Sequence, residues 1–377
     1  MKYHTNDRFI DNFILYSIFS QPFFRTTIKG LFSELFVYSP LMMRQSTAHK
    51  SFAHSANNLQ KFCSTLNAWG RERIPGFFIL DFEQQRPRTW RLDALDPAEL
   101  LFDFQGVKNF DLPPPAVPVQ LRGRQPVSLA DYEQAFAVVQ AGLLRGDSFL
   151  VNLTMPTDVE LSGKLREVFL QSRARYRLWL RDEFVCFSPE IFVRIQEGAI
   201  HTYPMKGTRP ADVPAAGQLL LEDPKEAAEH ATIVDLMRND LSRVAQRVRV
   251  ERYRYLERID NGRGGLWQTS SHIAGQLPDD HLQQLGDLLL SLLPAGSISG
   301  APKPSTLEII ARAEGRPRGY YTGVAGYFDG SSLDSCVLIR FVEETEGGMR
   351  YWSGGGVTAR SRAGEEYQEL LDKVYLG

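Results

Sequence analysis

The sequence predicts an α+β fold, on three observations. Helical and strand-like segments mix without strict β-α-β alternation, so a doubly wound parallel sheet is not indicated. Strand-like runs follow one another through tight turns, as antiparallel hairpins require; "YRLWLRDEFVCFSPEIFVRIQEGAIHTYP" (176–204) reads as three strands. The chain has 377 residues, 43% apolar and 23% charged, which is the ordinary globular mix and enough for one large domain or two smaller ones.

The elements follow in order. Residues 1–42 carry "FILYSIFSQPFF", which is too short to span a bilayer and lacks the basic flank and cleavage site of a signal peptide. We read 1–42 as an extension outside the fold, with Met43 as an alternative start. A packed segment or a membrane-surface anchor are the other readings. Residues 43–124 form a compact N-terminal region, in which "IPGFFILDFEQQRPRTWRL" reads as strand, turn, strand. "DLPPPAVPVQLRGRQPVS" (111–128) is proline-rich and reads as a linker. Residues 125–377 follow as the second region. Ser128 is a fair N-cap and Gly146 a fair stop for a helix between them, with Tyr132, Phe136, Val139, Leu143 and Leu144 on its apolar face. "SFLVNLTM" reads as a strand. The last hundred residues read as a helix, a Gly/Pro loop, a helix, three strands and a final helix.

Net charge is −2, so nucleic acid is not an expected partner, and no membrane association is expected either. Cys63, Cys186 and Cys336 are far apart and form no CxxC, which disfavours a zinc site or disulfide scaffold and fits a reducing cytoplasm.

Four segments could carry chemistry. In "HTYPMKGTRPAD", Pro204 and Pro210 bracket a stiff corner that presents Lys206. In "DPKEAAEHATIVDLMRNDLSRVAQRV", Glu226 and Glu229 stand one helical turn apart. They are either a solvated first turn that complements the helix dipole or a hard-cation site of the kind Mg²⁺ prefers. "GEEYQELLDKVYL" repeats the pattern with Glu366 and Glu369, and Lys373 lies four residues beyond Glu369, so an ordinary Glu–Lys helix pair is the plainer account. "YWSGGGVTARS" exposes backbone N–H groups that could approach a carboxylate, or is simply a glycine hairpin. "LLPAGSISGAPKPSTLEII" lacks the spacing of a P-loop, so nucleotide binding is rejected.

Together, "SPEIF", "PMKGTRP", "EHATIVDLMRNDLSRVA", "GSISGAPK", "RGYYTGVAGYFDG", "LIR" and "GGGV…EEYQELLDK" resemble, in order, the chorismate-utilising enzymes: anthranilate, aminodeoxychorismate and isochorismate synthases. The resemblance spans residues 125–377. "FFILDFE" and "LLFDFQGVKN" resemble the compact N-terminal part of some aminodeoxychorismate synthase large subunits. The resemblance implies a two-lobed sandwich of mostly antiparallel sheets flanked by helices. It also implies chorismate and ammonia as substrates, Mg²⁺ as cofactor, and a glutaminase subunit as ammonia source, because no glutaminase signature is present.

Lysine at position 206, where anthranilate and isochorismate synthases carry alanine, points to the aminodeoxychorismate branch, with Lys206 as nucleophile and Glu190 as general acid. Glu229 and Glu369 would hold Mg²⁺, supported by Glu226 and Glu366. Arg340, Tyr321, Gly355 and Gly356 would bind the pyruvyl carboxylate, Ser299 and Gly300 the ring, and Thr208 and Lys373 would complete the substrate site. Desolvation and nearby positive charge, from Mg²⁺, Arg340 and Lys373, should push the Lys206 pKa down.

Several positions depart from the family pattern. Leu150 stands where isochorismate synthases have a water-activating lysine, and Gln268 where anthranilate synthases usually have histidine. Phe341 replaces a threonine and Ala295 a glycine. The N-terminal part looks too short for a tryptophan pocket, so no tryptophan inhibition is expected. The rival readings are an anthranilate synthase component I and a non-catalytic chorismate-binding or glutaminase-scaffolding subunit.

Overall fold

The computed structural model describes residues 48–259 and 264–376; the segment 1–42 lies outside the described residues. Two antiparallel sheets, flanked by helices, make up the described chain, as the α+β expectation requires. In the first sheet the order runs Met205–Pro210, Leu266–Gln276, Ala199–Thr202, Ile191–Gln196, Leu333–Val337, Val324–Phe328, Gly76–Leu80, Arg88–Arg91, with Gln246–Ile259 also on Leu266–Gln276. The second runs Gly300–Ala301, Leu150–Leu161, Gly348–Val357, Phe341–Thr345, Phe184–Ser188, Tyr176–Leu180, Leu100–Phe104, Val107–Lys108, with Leu121–Pro126 on Leu150–Leu161. An aromatic-rich core joins the two sheets: Phe77 and Ile79 of the first meet Phe102, Phe104 and Leu178 of the second. The Phe77 and Phe102 rings stack 4.6 Å apart.

Local signals hold where they are chemical. Ser128 accepts from the Asp131 N–H and Gly146 closes the helix Leu129–Arg145 in the left-handed region. Tyr132, Phe136, Val139 and Leu143 are buried, but Leu144 is 71% exposed, because the helix turns that position away from the core. Three further readings need correction. The stretch 111–128 is not wholly a linker, since Leu121–Pro126 pairs with Leu150–Leu161 as an edge strand, a place that tolerates its proline. Residues 176–204 form four strands rather than three, and the closing hundred residues hold four strands between its last two long helices.

The extra strands position the site. Phe184–Ser188 belongs to the second sheet and Ile191–Gln196 to the first, so Pro189-Glu190 is a crossing between sheets, where a proline costs no ladder bond. Leu333–Val337 and Phe341–Thr345 cross in the opposite direction at Leu338-Ile339-Arg340. The two crossings lie side by side. Val337 N–H donates to the Glu190 carbonyl (3.1 Å), and Phe187 N–H donates to the Arg340 carbonyl (3.0 Å). Among the described residues, no helix is long and apolar enough to cross a membrane.

Candidate active site

Lys206 lies on the strand Met205–Pro210, and its Nζ is 2.8 Å from Glu229 Oε2. The two side chains are 27% and 16% exposed, so the pair is recessed but still reachable. Gly207 follows at φ +74°, and a Cβ there would press on Glu226 Oε2, so only glycine lets the corner close over the acidic helix Pro224–Leu241. From the second sheet, Gly356 lies against the same amine: a Cβ on it would stand 3.7 Å from Lys206 Nζ and 3.1 Å from Leu150 Cδ1. One on Gly355 would stand 3.3 Å from Glu369 Oε1 and 3.4 Å from Glu366 Oε2. The helices bearing the four acids therefore converge on one amine, with the glycine strand between.

The charges set the chemistry. Burial pulls the Lys206 pKa down, but the Glu229 carboxylate, followed by Glu369 and Glu226, outweighs it and leaves the pKa above its ordinary value. The expected depression is therefore corrected for the metal-free chain. Acid side chains, not Arg340 and Lys373, dominate the field at this amine. The acids respond in kind. Burial, then the neighbouring Glu229 charge, raises the pKa of Glu226. Burial also raises that of Glu366, against a hydrogen bond from Ser361. Glu369 is lowered: burial opposes ionisation, but Lys373, whose Nζ is 2.7 Å from Glu369 Oε1, wins. Lys373 also donates to the Gly354 carbonyl at 2.7 Å.

Such a set can be tested for a cation. Its donors are all carboxylate oxygens, which suit a hard ion. Glu226 Oε2 is buried with no hydrogen-bond partner, an orphan acceptor that calls for positive charge. No group of three or more His, Cys, Asp or Glu is gathered at ligand spacing among the described residues; the Lys206 ammonium pairs with Glu229 and the Lys373 ammonium with Glu369 instead. The residues fit Mg²⁺ in donor type, as a site that a cation would draw together.

The remaining residues fall in two groups. Glu190 is half-buried, and its Oε1 accepts from Ser297 Oγ. Burial raises its pKa against that hydrogen bond and the charges of Arg340 and Lys373, which favours the protonated form a proton donor needs. Arg340, at φ 53°, donates its Nε–H to the Tyr375 hydroxyl at 3.1 Å. Tyr321 is buried and stacks on Trp352 at 5.5 Å, while Phe341 lies 6.0 Å from it, so the threonine-to-phenylalanine departure adds to this aromatic wall. Ser299 is buried and donates Oγ–H to the Ala295 carbonyl (2.8 Å). Gly300, at φ +137°, sits where a Cβ would collide with the Leu150 carbonyl. Thr208 is exposed and pairs across from Gln268, whose buried Nε2 finds no partner. Among the described residues, no hydrogen bond joins the Thr208 side chain to the acid cluster.

Three residues escaped the sequence reading. Ser297 holds Glu190. Asn152 N–H donates to the Ser299 carbonyl, and its buried Oδ1 is unpartnered beside Gly356, its cross-strand neighbour. Arg318 is fully buried and donates to the Ile298 and Asn152 carbonyls on either side of the Ser299 loop. A separate cavity of about 500 Å³, lined by His201, Arg249, Glu251 and His281 among others, contains none of the predicted residues.

The chorismate binding enzyme family matches residues 52–376. The chain belongs to this family. It is 47% identical to an uncharacterized PabA-like protein of Haemophilus influenzae over 85% of this chain and 97% of that protein. It is 36% identical to the aminodeoxychorismate synthase component 1 of Klebsiella aerogenes, over 67% of this chain and 58% of that protein. The fold matches the menaquinone-specific isochorismate synthase MenF of Escherichia coli with a TM-score of 0.66 at 20% identity, covering 85% of this chain and 81% of MenF. As a member of the chorismate-binding family, the chain places the Lys206 corner, the two acidic helices and the glycine strand around a common centre.

Proposed function

We propose that the protein is an aminodeoxychorismate synthase component I, which converts chorismate and ammonia to 4-amino-4-deoxychorismate through a covalent bond to Lys206. One observation carries this reading: a lysine amine stands between the glycine strand and the acid cluster, and Leu150 lies against the same Gly356. Leu150 cannot activate water, which disfavours an isochorismate product. In the first step Lys206, having lost its ammonium proton to solvent, bonds through the neutral amine to ring C2, the ring double bonds shift, and the C4–O bond breaks. Glu190 protonates the departing oxygen, which leaves as water. In the second step ammonia bonds to C4, the double bonds shift back and the C2–N bond breaks. The proton lost by the new ammonium returns to Glu190. Two moderate displacements replace one hard one.

Glu229 and Glu369, with Glu226 and Glu366 in support, would hold Mg²⁺, which when bound neutralises the ring carboxylate and competes for the carboxylates now paired with Lys206. Arg340 and Tyr321, with the Gly355 and Gly356 amides, bind the pyruvyl carboxylate. Ser299 and Gly300 line the ring, and Lys373 stays beside Glu369. Thr208 acts through its main chain, given its exposed side chain. Asn152 Oδ1 offers an acceptor for the N–H of incoming ammonia. A glutaminase subunit is the partner that supplies ammonia in the cell, and the compartment is the cytoplasm. Residues 43–124 and 125–377 act as one catalytic unit.

Product analysis with chorismate, Mg²⁺ and ammonium tests the reading. The expected product becomes p-aminobenzoate only after a lyase is added. Direct release of fluorescent anthranilate overturns it in favour of an anthranilate synthase component I.

A further inference from the structure

The strand that carries Lys206 slips register where the nucleophile sits: pairing with Leu266–Gln276 breaks between Lys206 and Thr208. A bulge leaves the ladder irregular and re-aims the side chain beside it. At this break a side chain takes up the main-chain acceptor. Thr269, directly across from Lys206, donates its hydroxyl hydrogen to the Lys206 carbonyl. Thr269 is fully buried, and its Oγ1 lies 3.5 Å from His230 Nδ1. His230 Nε2 lies 2.7 Å from Ser271 Oγ, which accepts the Arg254 backbone N–H at 2.8 Å.

The hydrogens can be placed by elimination. Thr269 has one hydroxyl hydrogen and gives it to the Lys206 carbonyl, so towards His230 it can only accept. A neutral His230 then carries its proton on Nδ1, and its Nε2 accepts the Ser271 hydroxyl hydrogen while Ser271 Oγ accepts from Arg254 N–H. Arg254 anchors the far end: its guanidinium donates to the Leu220, Leu221 and Asp223 carbonyls, where the short helix Ala216–Glu222 leads into the acidic helix. His230 adjoins Glu229 on that helix, and Glu229 grips the Lys206 amine.

We propose that Thr269 is the positioning residue of the Lys206 nucleophile, its hydroxyl aimed by the His230–Ser271 pair so that the bulged strand holds the amine at a fixed place relative to the acidic helix. This rests on the covalent role proposed for Lys206. Thr269 touches neither substrate nor reacting atoms; it acts through the Lys206 main chain. A displacement of about 1 Å at a reacting group can cost on the order of 100-fold in rate, so losing this tie lowers the rate of bond formation more than it changes substrate binding.

The experiment uses the full chain and follows the Lys206 adduct by intact mass after mixing with chorismate and Mg²⁺ without ammonia, alongside kcat and KM with ammonium. Thr269→Val removes the hydroxyl at constant shape and should slow adduct formation and kcat by about 10- to 100-fold, with KM within about two-fold. Thr269→Ser restores the hydroxyl and should recover most of the rate. His230→Asn keeps a donor at the Nδ1 position and should outperform His230→Leu. A folded Thr269→Val with wild-type adduct rate and kcat overturns the proposal, as does a Thr269→Ser no better than Thr269→Val. If Thr269→Val does not fold, the His230→Asn and His230→Leu pair decides by the same criterion. A wild-type chain that forms no adduct sinks the covalent reading instead, and the kcat difference between the valine and serine variants still decides whether the hydroxyl positions Lys206.

Discussion

Two ion pairs in this molecule look alike on paper and are built for opposite ends. Arg318 and Glu314 are 0% and 1% exposed, with Nη2 2.6 Å from Oε1. All five guanidinium N–H donors are satisfied: Nε and one Nη2 hydrogen by Glu314, the others by Ile298 O, Thr322 Oγ1 and Asn152 O. Glu314 in return accepts from the Thr154 N–H and hydroxyl, and the Phe82 ring lies 4.5 Å from the guanidinium. Lys206 and Glu229 are partly open, acids outnumber bases around them, and Glu226 Oε2 has no partner. The saturated pair ties the helix Lys303–Glu314, the Ser299 loop and the Leu150–Leu161 strand together. The undersaturated one keeps its charges available for a ligand. Unmet demand, not burial or proximity, separates a working charge from a structural one.

Exchanging the cation of each pair for alanine should break the comparison most plainly. Lys206→Ala should lower turnover by roughly 1,000-fold or more, as removal of a nucleophile does, while far-ultraviolet circular dichroism and a cooperative melt show the fold intact. Arg318→Ala should do the reverse. It leaves Glu314 buried and unpaired, which costs about 3–5 kcal/mol, read as a lower midpoint in chemical denaturation. If Arg318→Ala melted like the wild type, the saturated pair would have no structural role.

A smaller effect sharpens the contrast through Glu190, whose pKa burial raises above 4.5. A carboxyl with a raised folded pKa binds its proton more tightly in the folded than in the unfolded chain. Folding is therefore penalised as pH rises from the unfolded value through the folded one. Glu190→Gln removes that penalty and keeps an acceptor for Ser297. The variant should be more stable than the wild type at pH 7, with the gain shrinking as pH falls and lost by about pH 4.5. Denaturation midpoints across pH check this, and equal midpoints at pH 7 would show that the carboxyl is not strained by its surroundings.

How much of this was legible beforehand depends on the range of the interaction. The caps of Leu129–Arg145 and the acid spacing on the two helices are local, and the sequence shows them directly. The order of the motifs pointed to Lys206, Glu229, Glu369 and the glycine strand, and these do meet. Sheet membership was not legible: nothing within "SPE" or "LIR" says that the chain changes sheets there, because strand pairing is a long-range choice. The dominance of carboxylates around Lys206 was not legible for the same reason, since its four acids come from helices more than a hundred residues apart in the chain. Thr269 and Arg318 read as an unremarkable strand threonine and a loop arginine until their distant partners are in place.

The central claim is that the Lys206 amine, set among an excess of carboxylates, becomes a covalent nucleophile. Intact mass spectrometry of the protein mixed with chorismate and Mg²⁺, without ammonia, tests it most directly. The account predicts an adduct with the mass of chorismate less one water, mapped by digestion to Lys206 and discharged on adding ammonium. Full-rate formation of aminodeoxychorismate by a Lys206→Ala chain, with no adduct trapped on the wild type, would contradict it.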